Sequence, residues 1–375
     1  FGPGETRIQG ATLMSNRTRR QFLADLTAAA TGAALATAQG RARAQQTGRR
    51  RQVTVGGRPV KTVDVHAHTA VPQALVGIVK GTPLEATVQA QLTGNLVMND
   101  ARLRAMDEQG IDVEVLTINA YWYAADRDLA SRLIPAQNEA LARLGAERPD
   151  RFVPLATVAL QHPDLAADQL QYAFEKLGMR GAGIGATVSG EELAAPRFDP
   201  FWAKAEALGA MIFMHPSGVP ELASRLRGNG FLTNVIGNPL ETTIALSHLI
   251  FEGTLDRFPK LRLCGAHAGG FLPAYIGRFD QGCVTFPANC TNRNARKPSE
   301  YLKQLYFDSM VFSGEGLRHL AAECGAGQIF MGTDYPFPWT TTSVDHIVTA
   351  PGFSDADRIA MLGGNAARLL GIVAA

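Results

Sequence analysis

The sequence is poor in the features that mark several common classes of protein. Only 19% of its 375 residues are charged and 7% are aromatic, and the formal net charge is +2. A chain this close to neutral argues against a nucleic-acid-binding surface. The four cysteines form no C-x-x-C pair, which disfavours a structural zinc site. No apolar run approaches the ~20 residues that a membrane-spanning helix needs, so we expect no stable membrane span.

Two of the cysteines, Cys283 and Cys290, lie close enough in sequence to form a disulfide in an oxidising compartment. A pair of free thiols fits the spacing equally well, so the sequence leaves both states open. Cys264 stands in an apolar run, and we expect it to be buried.

The positive charge is concentrated at the amino terminus. Residues 1–44 contain six arginines and two acidic residues, which leaves the rest of the chain with a net charge of −2. The first methionine is Met14, and we expect residues 1–13 to lie upstream of the true start. A basic stretch with the pair Arg19-Arg20, a mild apolar run and an A-x-A sequence at 42–44 then follow in the order of a secretory leader.

The leader predicts export of the protein. The paired arginines resemble the twin-arginine type of signal, so we expect the twin-arginine machinery as a transient partner and a periplasmic location. That route carries folded proteins, often with the cofactor already loaded, which suits a metalloenzyme. Residues 45–58 are polar and basic and predict a linker, so the folded domain is expected over residues 59–375.

Strands and helices alternate along the predicted domain. Short apolar runs bounded by turn residues predict eight strands, at 60–66, 113–118, 152–158, 181–184, 210–215, 261–267, 305–308 and 328–333. Helices fill the intervals between the strands. Eight strand–helix units predict a parallel sheet closed into a TIM (β/α)8 barrel. The longer stretches 71–99 and 216–259 are expected to cover the mouth of this barrel. An open doubly wound sheet is the alternative, but it would need a G-x-G-x-x-G sequence where the chain has His-Ala-His.

Five residues that are able to bind a metal lie at the predicted carboxyl ends of these strands. His66 and His68 are two residues apart, so they point to the same side of the first strand. His215 ends the fifth strand, His267 the sixth and Asp334 the eighth, and a TIM barrel keeps its chemistry at this end. Three imidazoles and one carboxylate suit a single Zn²⁺ ion, and Mn²⁺ accepts the same ligands. The H-x-H pair alone would equally fit two histidines whose partners are backbone groups.

The short sequences around these residues carry a more specific signal. His66-Ala-His68, His215-Pro216, H-A-G-G at 267–270 and G-T-D-Y-P-F-P at 332–338 resemble the amidohydrolase superfamily. The resemblance is greatest to the branch typified by aminocarboxymuconate-semialdehyde decarboxylase. It implies that His66, His68, His215 and Asp334 bind the metal. It also implies that His267 and Asp334 are the catalytic residues, with His267 as the general acid/base beside the ion.

The likeness extends over nearly all of the predicted domain. Residues 106–112 and 365–371 also resemble that branch, so the similarity runs from 61 to 372. Members of the superfamily with two metal ions use a lysine or another bridging ligand at the end of strand four. The sequence G-A-G-I-G at 181–185 offers no such group, so we expect one ion per subunit.

Other candidates for substrate binding lie near the predicted barrel mouth. Arg278 could hold a substrate carboxylate, because a guanidinium group matches carboxylate geometry, or it could form a surface ion pair with Asp280 or with a neighbouring residue. By likeness to the family, an arginine in this region would act across a dimer interface, so a homodimer is expected. Trp122, after the second strand, and Trp339, after the eighth, could line the binding site of a planar substrate. Aromatic residues at this position often only pack against neighbouring side chains.

The resemblance implies a metal-dependent enzyme that acts on a small-molecule carboxylate. The first interpretation is a carbon–carbon lyase that decarboxylates a small aromatic or unsaturated carboxylic acid. The second is a hydrolase of a lactone, amide or ester, since the same five residues would support either reaction. A third, from a different class, is a non-catalytic periplasmic binding barrel, and His267 beside an open metal site argues against it.

Overall fold

Eight parallel strands lie at the centre of the structure, a computed structural model that describes residues 50–290 and 296–373. They are β1 Val63–His68, β2 Val113–Thr117, β3 Phe152–Pro154, β4 Gly181–Gly185, β5 Met211–His215, β6 Arg262–Gly265, β7 Tyr306–Asp308 and β8 Ile329–Phe330. Most of their side chains are buried, as expected for strands covered on both faces of a parallel sheet.

The strands pair in the orders β1-β2-β3 and β4-β5-β6-β7-β8, and every pairing is parallel. Isolated parallel bridges join the two groups, from Ala156 to Ala182 and from Asp64 to Met331. The sheet therefore closes on itself. This confirms the predicted TIM barrel, and each of the eight strands overlaps the run that predicted it.

Three strands end two or more residues earlier than their apolar runs suggest. β3 stops at Pro154, β6 at Gly265 and β8 at Phe330, although the runs extend to 158, 267 and 333. Beyond β6, His267 and Ala268 adopt left-handed backbone conformations, with φ of 55° and 56°. Residues past these ends are buried by packing at the barrel mouth, so a run of apolar residues overestimates the length of the strand.

A main helix follows each strand. These are α1 Asp100–Gln109, α2 Arg127–Glu147, α3 Pro163–Lys176, α4 Asp199–Leu208, α5 Gly237–Phe251, α6 Leu272–Thr285, α7 Gly314–Cys324 and α8 Asn365–Leu370. Further α-helical segments include Val76–Val79, Glu85–Gln91, Leu232–Val235, Thr254–Arg257, Ser343–Thr349 and Asp355–Ile359. Apolar side chains between strands and helices form the larger core cluster, and a smaller one surrounds Val65, Val115 and Phe213.

The start of the described chain corrects the predicted linker. Residues 54–55 and 58–59 form a small antiparallel hairpin, and Val53 and Val55 are buried. The backbone N–H of Arg51 donates to Asp107 O at 2.9 Å, and its guanidinium group pairs with Asp345 at 3.0 Å. Residues 50–58 therefore belong to the folded domain. The predicted signal peptide and residues 45–49 lie outside the described residues.

A disulfide joins Cys283 near the end of α6 to Cys290, which decides between the two states left open above. Cys264 is buried with a free thiol, as expected, and so is Cys324. Among the helices of residues 50–290 and 296–373, none combines the length and the hydrophobicity that crossing a bilayer requires.

Candidate active site

Four side chains converge at the carboxyl ends of the strands and together could hold a metal ion. His66 and His68 lie at the end of β1, His215 ends β5, and Asp334 follows β8. One ligand atom from each lies within 4.8 Å of the others, and all four residues are buried. The Nε2 atoms of His66 and His68 are 3.1 Å apart, and Asp334 Oδ1 lies 2.8 Å from His68 Nε2. The structure thus brings together the four residues that the motifs suggested as ligands.

Hydrogen bonds on the far side of two rings direct their other nitrogen atoms toward this point. His66 Nδ1 donates to Asp308 Oδ2 at 2.7 Å. The Thr117 hydroxyl donates to Ala67 O at 3.2 Å, so it accepts from His68 Nδ1 at the same distance. With Nδ1 as the hydrogen-bond donor, each ring directs Nε2 toward the cluster, and that atom binds a cation once it is unprotonated.

His215 shows most directly that the site fits a cation. Both of its ring nitrogens are buried, and neither has a hydrogen-bond partner among the described residues. A buried nitrogen without a partner is costly, and a metal ion at the centre of the cluster would satisfy it. Three imidazole nitrogens and one carboxylate are a donor set that suits Zn²⁺ or Mn²⁺.

The electrostatics of the cluster favour neutral rings at two of the three histidines. Burial lowers the pKa of His68 to about 4, and burial with the charges of its neighbours lowers the pKa of His215 well below its usual value. Burial also opposes a charge on His66, but Asp334 and Asp308 outweigh it and raise its pKa to about 10. A cation that binds here would therefore displace a proton from His66.

Asp308 organises two sides of the site from the end of β7. Besides holding His66, its carboxylate accepts the backbone N–H groups of His267 and Ala268, each at 2.8 Å. Left-handed conformations are unfavourable for residues other than glycine. The two hydrogen bonds to Asp308 hold His267 and Ala268 in these conformations. The chain then passes so close to Pro239 that a Cβ on Gly270 would lie 2.0 Å from the Pro239 carbonyl oxygen. Glycine is required there.

A second strained residue places the carboxylate ligand. Asp334 has a φ of 62°, and its backbone N–H donates to His66 O at 2.8 Å. The preceding Thr333 donates its hydroxyl to the buried Asp64 at 2.5 Å. The Tyr335–Pro336 peptide bond that follows is cis. The end of β1 and the chain after β8 are thus tied together by hydrogen bonds around the cluster.

His267 lies beside the four-residue cluster. Its ring centroid is 5.1 Å from those of both His66 and His215, and its Nε2 lies 3.7 Å from Asp334 Oδ2. The side chain is 14% exposed, and its Nδ1 is buried without a hydrogen-bond partner among the described residues. An imidazole placed in this way could exchange a proton with a molecule bound at the cluster.

A cavity of about 610 Å³ opens above the cluster and receives one of the predicted aromatic residues. His215 and Asp334 lie at its base, and Trp339 forms part of its wall. Trp122 does not line it, because this residue is fully buried and its indole N–H donates to Val158 O at 2.8 Å. The prediction that Trp122 walls the substrate is therefore wrong.

Arg278 lies on the exposed face of α6 and does not line the cavity of its own subunit. The predicted surface ion pair is also absent, because Arg278 pairs with no acidic side chain among the described residues and the Asp280 carboxylate accepts from Ser299 instead. Neither of the two roles considered for Arg278 is realised within one subunit.

Sequence reasoning missed several buried residues that hold the site. Asp308 ends β7 at the catalytic end of the barrel, and that position was the available signal. Arg102 is buried on α1, where it pairs with Glu114 at 2.5 Å and donates to His68 O at 2.7 Å. No local pattern marks such a residue, because its partners come from other parts of the chain.

The fold and the site together define a metal-dependent enzyme built on a TIM barrel, with its cation site at the carboxyl ends of the strands. The Amidohydrolase family model matches residues 63–372. The chain therefore belongs to the amidohydrolase family, and the resemblance deduced from the motifs is confirmed.

Curated relatives and solved structures of known activity place the chain among decarboxylases. It is 32% identical over 279 residues to 2-amino-3-carboxymuconate-6-semialdehyde decarboxylase of Dictyostelium discoideum, covering 73% of this chain and 76% of that relative. It is 30% identical over 328 residues to gamma-resorcylate decarboxylase of Rhodococcus jostii (strain RHA1), covering 82% and 97%. A dihydroxybenzoic acid decarboxylase from Polaromonas sp. JS666, solved with bound manganese, matches with a TM-score of 0.72 and 26% identity, covering 84% and 97%. The predicted metal dependence is confirmed.

Proposed function

We propose that this enzyme removes CO2 from a small aromatic carboxylic acid. The observation that carries the proposal is the position of His267, a proton-transfer group beside the cation site. The relatives described above are named as decarboxylases, which supports this reaction over hydrolysis of a lactone, amide or ester.

The side chains have distinct parts in the reaction. A protonated His267 gives its proton to the ring carbon that carries the carboxylate. The bond between that carbon and the carboxylate then breaks, its electron pair returns to the ring, and CO2 leaves. Asp334 Oδ2 lies 3.7 Å from His267 Nε2, and solvent restores the proton to the imidazole after the transfer.

His66, His68, His215 and Asp334 would hold one divalent ion per subunit, zinc or manganese. When bound, the ion would hold oxygen atoms of the substrate and stabilise the negative charge that develops on them. The protein fixes the ligands in advance, because the ring of Phe213 packs against His66 with centroids 4.9 Å apart.

The proposed enzyme is a homodimer in which Arg278 reaches the cavity of the second copy. The helix that carries Arg278, α6, also carries two large exposed apolar side chains, Tyr275 at 62% exposure and Val284 at 72%. Burial of such side chains against another protein would be favourable. In the second copy, the guanidinium group would pair with the carboxylate that is lost as CO2.

We also propose that the protein is exported through the twin-arginine route. The leader sequence supports this, and so does the disulfide between Cys283 and Cys290, since disulfides persist in oxidising compartments. Replacing Arg19 and Arg20 together by lysine should leave the protein in the cytoplasm. Periplasmic recovery of that variant would refute the proposed route.

The test of the reaction uses purified protein loaded with zinc or with manganese. Incubation with panels of aromatic acids and of lactones should release CO2 from at least one acid, in an amount equal to the product formed. Ring opening of a lactone without CO2 would support the hydrolase instead. His267→Asn should retain the metal ion but lose at least about a hundredfold in rate, because proton transfer contributes roughly 10²–10⁴-fold.

A further inference from the structure

The ion pair between Arg102 and Glu114 is buried but incomplete. Arg102 on α1 is 1% exposed and Glu114 on β2 is fully buried, and Arg102 Nε lies 2.5 Å from Glu114 Oε2. Within the described part of the chain, Arg102 Nη2 and Glu114 Oε1 are buried without a hydrogen-bond partner. Apolar side chains of similar volume are often at least as stable as a buried ion pair. Stability alone therefore does not explain an arginine at this position.

The same guanidinium group holds one metal ligand by its backbone. Arg102 Nη1 donates to His68 O at 2.7 Å, at the carboxyl end of β1. On the other side, the backbone N–H of His68 donates to Tyr335 O, also at 2.7 Å. Both polar groups of the His68 backbone are thus bonded, which fixes the position from which the imidazole projects.

Arg102 also contacts the residue that follows the carboxylate ligand. Its Cζ atom lies 4.8 Å from the centroid of the Tyr335 ring, within the range of a cation–π contact. Tyr335 is the chain neighbour of Asp334, whose Oδ1 lies 2.8 Å from His68 Nε2. One side chain of α1 therefore contacts the two stretches of chain that carry His68 and Asp334.

We propose that Arg102 is a positioning residue that fixes His68 and Asp334 relative to each other, and that the affinity and geometry of the cation site depend on it. A lysine could not take its place, because one ammonium group cannot bond to Glu114 and His68 O and also lie flat against Tyr335. Arg102 does not line the cavity and acts through the backbone of the ligands. The inference concerns the cation site and holds whichever reaction the enzyme catalyses.

Arg102→Lys tests this role while it keeps a positive charge beside Glu114. Zinc titration should show a loss of affinity of about 10–100-fold, the range for groups that orient a metal ligand. Cobalt bound in place of zinc should give an altered visible absorption spectrum, since its bands respond to the arrangement of the ligands. A purely structural role would lower only the resistance to denaturant. Unchanged zinc affinity and an unchanged cobalt spectrum in folded Arg102→Lys would overturn the proposal.

Arg151→Lys is the matched control. Arg151 is 9% exposed, pairs with Asp107 at 2.8 Å and donates to the backbone carbonyl of Ile111, but it precedes β3 at the opposite end of the barrel from the cation site. Its replacement should lower stability and leave the zinc affinity and the cobalt spectrum unchanged. An equal loss of zinc affinity in Arg151→Lys would show that any loosening of the core has this effect, and would refute a specific role for Arg102.

A second variant keeps the test open if Arg102→Lys does not fold. Arg102→Met combined with Glu114→Gln removes both charges, so no buried charge is left alone. Glu114→Gln by itself retains the guanidinium group at His68 O, and its amide oxygen can still accept from Arg102 Nε. The double variant should lose zinc affinity relative to Glu114→Gln, and equal affinities would contradict the proposal. Failure of the proposed decarboxylation would appear separately, as an absence of CO2 release from the fully zinc-loaded, unaltered enzyme.

Discussion

At the scale of single residues, the ligands of the site depend on a carboxylate that is not one of them. Asp308 accepts from His66 Nδ1 at 2.7 Å and also from the backbone N–H groups of His267 and Ala268. One buried side chain thus sets the orientation of a ligand ring and of the proposed proton donor. Carboxylates that orient a ligating histidine act on the metal through that ring.

We expect Asp308→Asn to weaken metal binding and activity together. An amide can still accept from one neighbour, but it lacks the charge that fixes the His66 tautomer, so a loss of about 10–100-fold is expected in both quantities. Metal titration followed by CO2 release measures the two effects on one preparation.

The control for this substitution is Asp345→Asn, which alters a surface ion pair with Arg51 and should leave both quantities unchanged. Far-ultraviolet circular dichroism distinguishes a loss of fold from a loss of function. Wild-type metal affinity in a folded Asp308→Asn protein would contradict the orienting role.

Local spacing identified the four residues of the cluster and His267, because each lies at a strand end in a short recognisable sequence. Asp308 also lies at a strand end, but a single carboxylate between ordinary neighbours carries no signal of its partners. Trp122 shows the opposite error. Its position after β2 suggested a cavity wall, yet the hydrogen bond to Val158 O turns the indole into the core.

At the scale of the elements, the chain that follows β8 comes close to β1 and β7, and this close approach depends on Gly332, which has no side chain. A Cβ on Gly332 would lie 3.0 Å from the Cβ atoms of both Asp308 and His66. The carbonyl oxygen of Gly332 also accepts from the buried Ser343 hydroxyl at 2.8 Å, so the backbone there has little room to move.

Gly332→Ala should therefore displace His66 or Asp308 and destabilise the fold by about 1–3 kcal/mol, as overpacking does in other cores. Metal affinity should fall in the same variant, because one ligand and its orienting carboxylate both move. Denaturant unfolding and metal titration measure these two effects.

Gly282→Ala gives the matched comparison. Gly282 lies within α6 with open space where the new Cβ would stand, so alanine should stabilise the helix by up to about 1 kcal/mol. If Gly332→Ala were as stable as Gly282→Ala and bound metal normally, the close approach of Gly332 to β1 and β7 would not constrain the site.

The element boundaries show where a local pattern stops being informative. The apolar run at 261–267 predicted a strand up to His267, but the N–H groups of His267 and Ala268 bond to Asp308 and leave the sheet. Residues 50–58 looked like a linker because they are polar and basic. Their order comes from contacts of Arg51 with Asp107 and Asp345, which lie far away in sequence.

At the scale of the whole molecule, the count of strand–helix units was enough to predict the barrel, since eight parallel strands have one common way to close. The proposed pairing of two copies is inferred instead from the exposed residues of α6. Arg278 and the exposed apolar side chains Tyr275 and Val284 share α6, whereas the cavity lies at the barrel mouth. In the proposed dimer, each cavity needs His267 from its own chain and Arg278 from the other.

Mixing two inactive variants tests this division between subunits. Arg278→Ala and His267→Ala should each be inactive alone, but half of the randomly reassembled dimers would be mixed. In a mixed dimer, the subunit that keeps His267 receives Arg278 from the other chain, so one of its two sites is complete. The mixture should therefore recover about a quarter of the wild-type rate of CO2 release after unfolding and refolding together. Recovery that stays at the level of the separate variants, with dimers present by size-exclusion chromatography, would mean that Arg278 does not act across the interface.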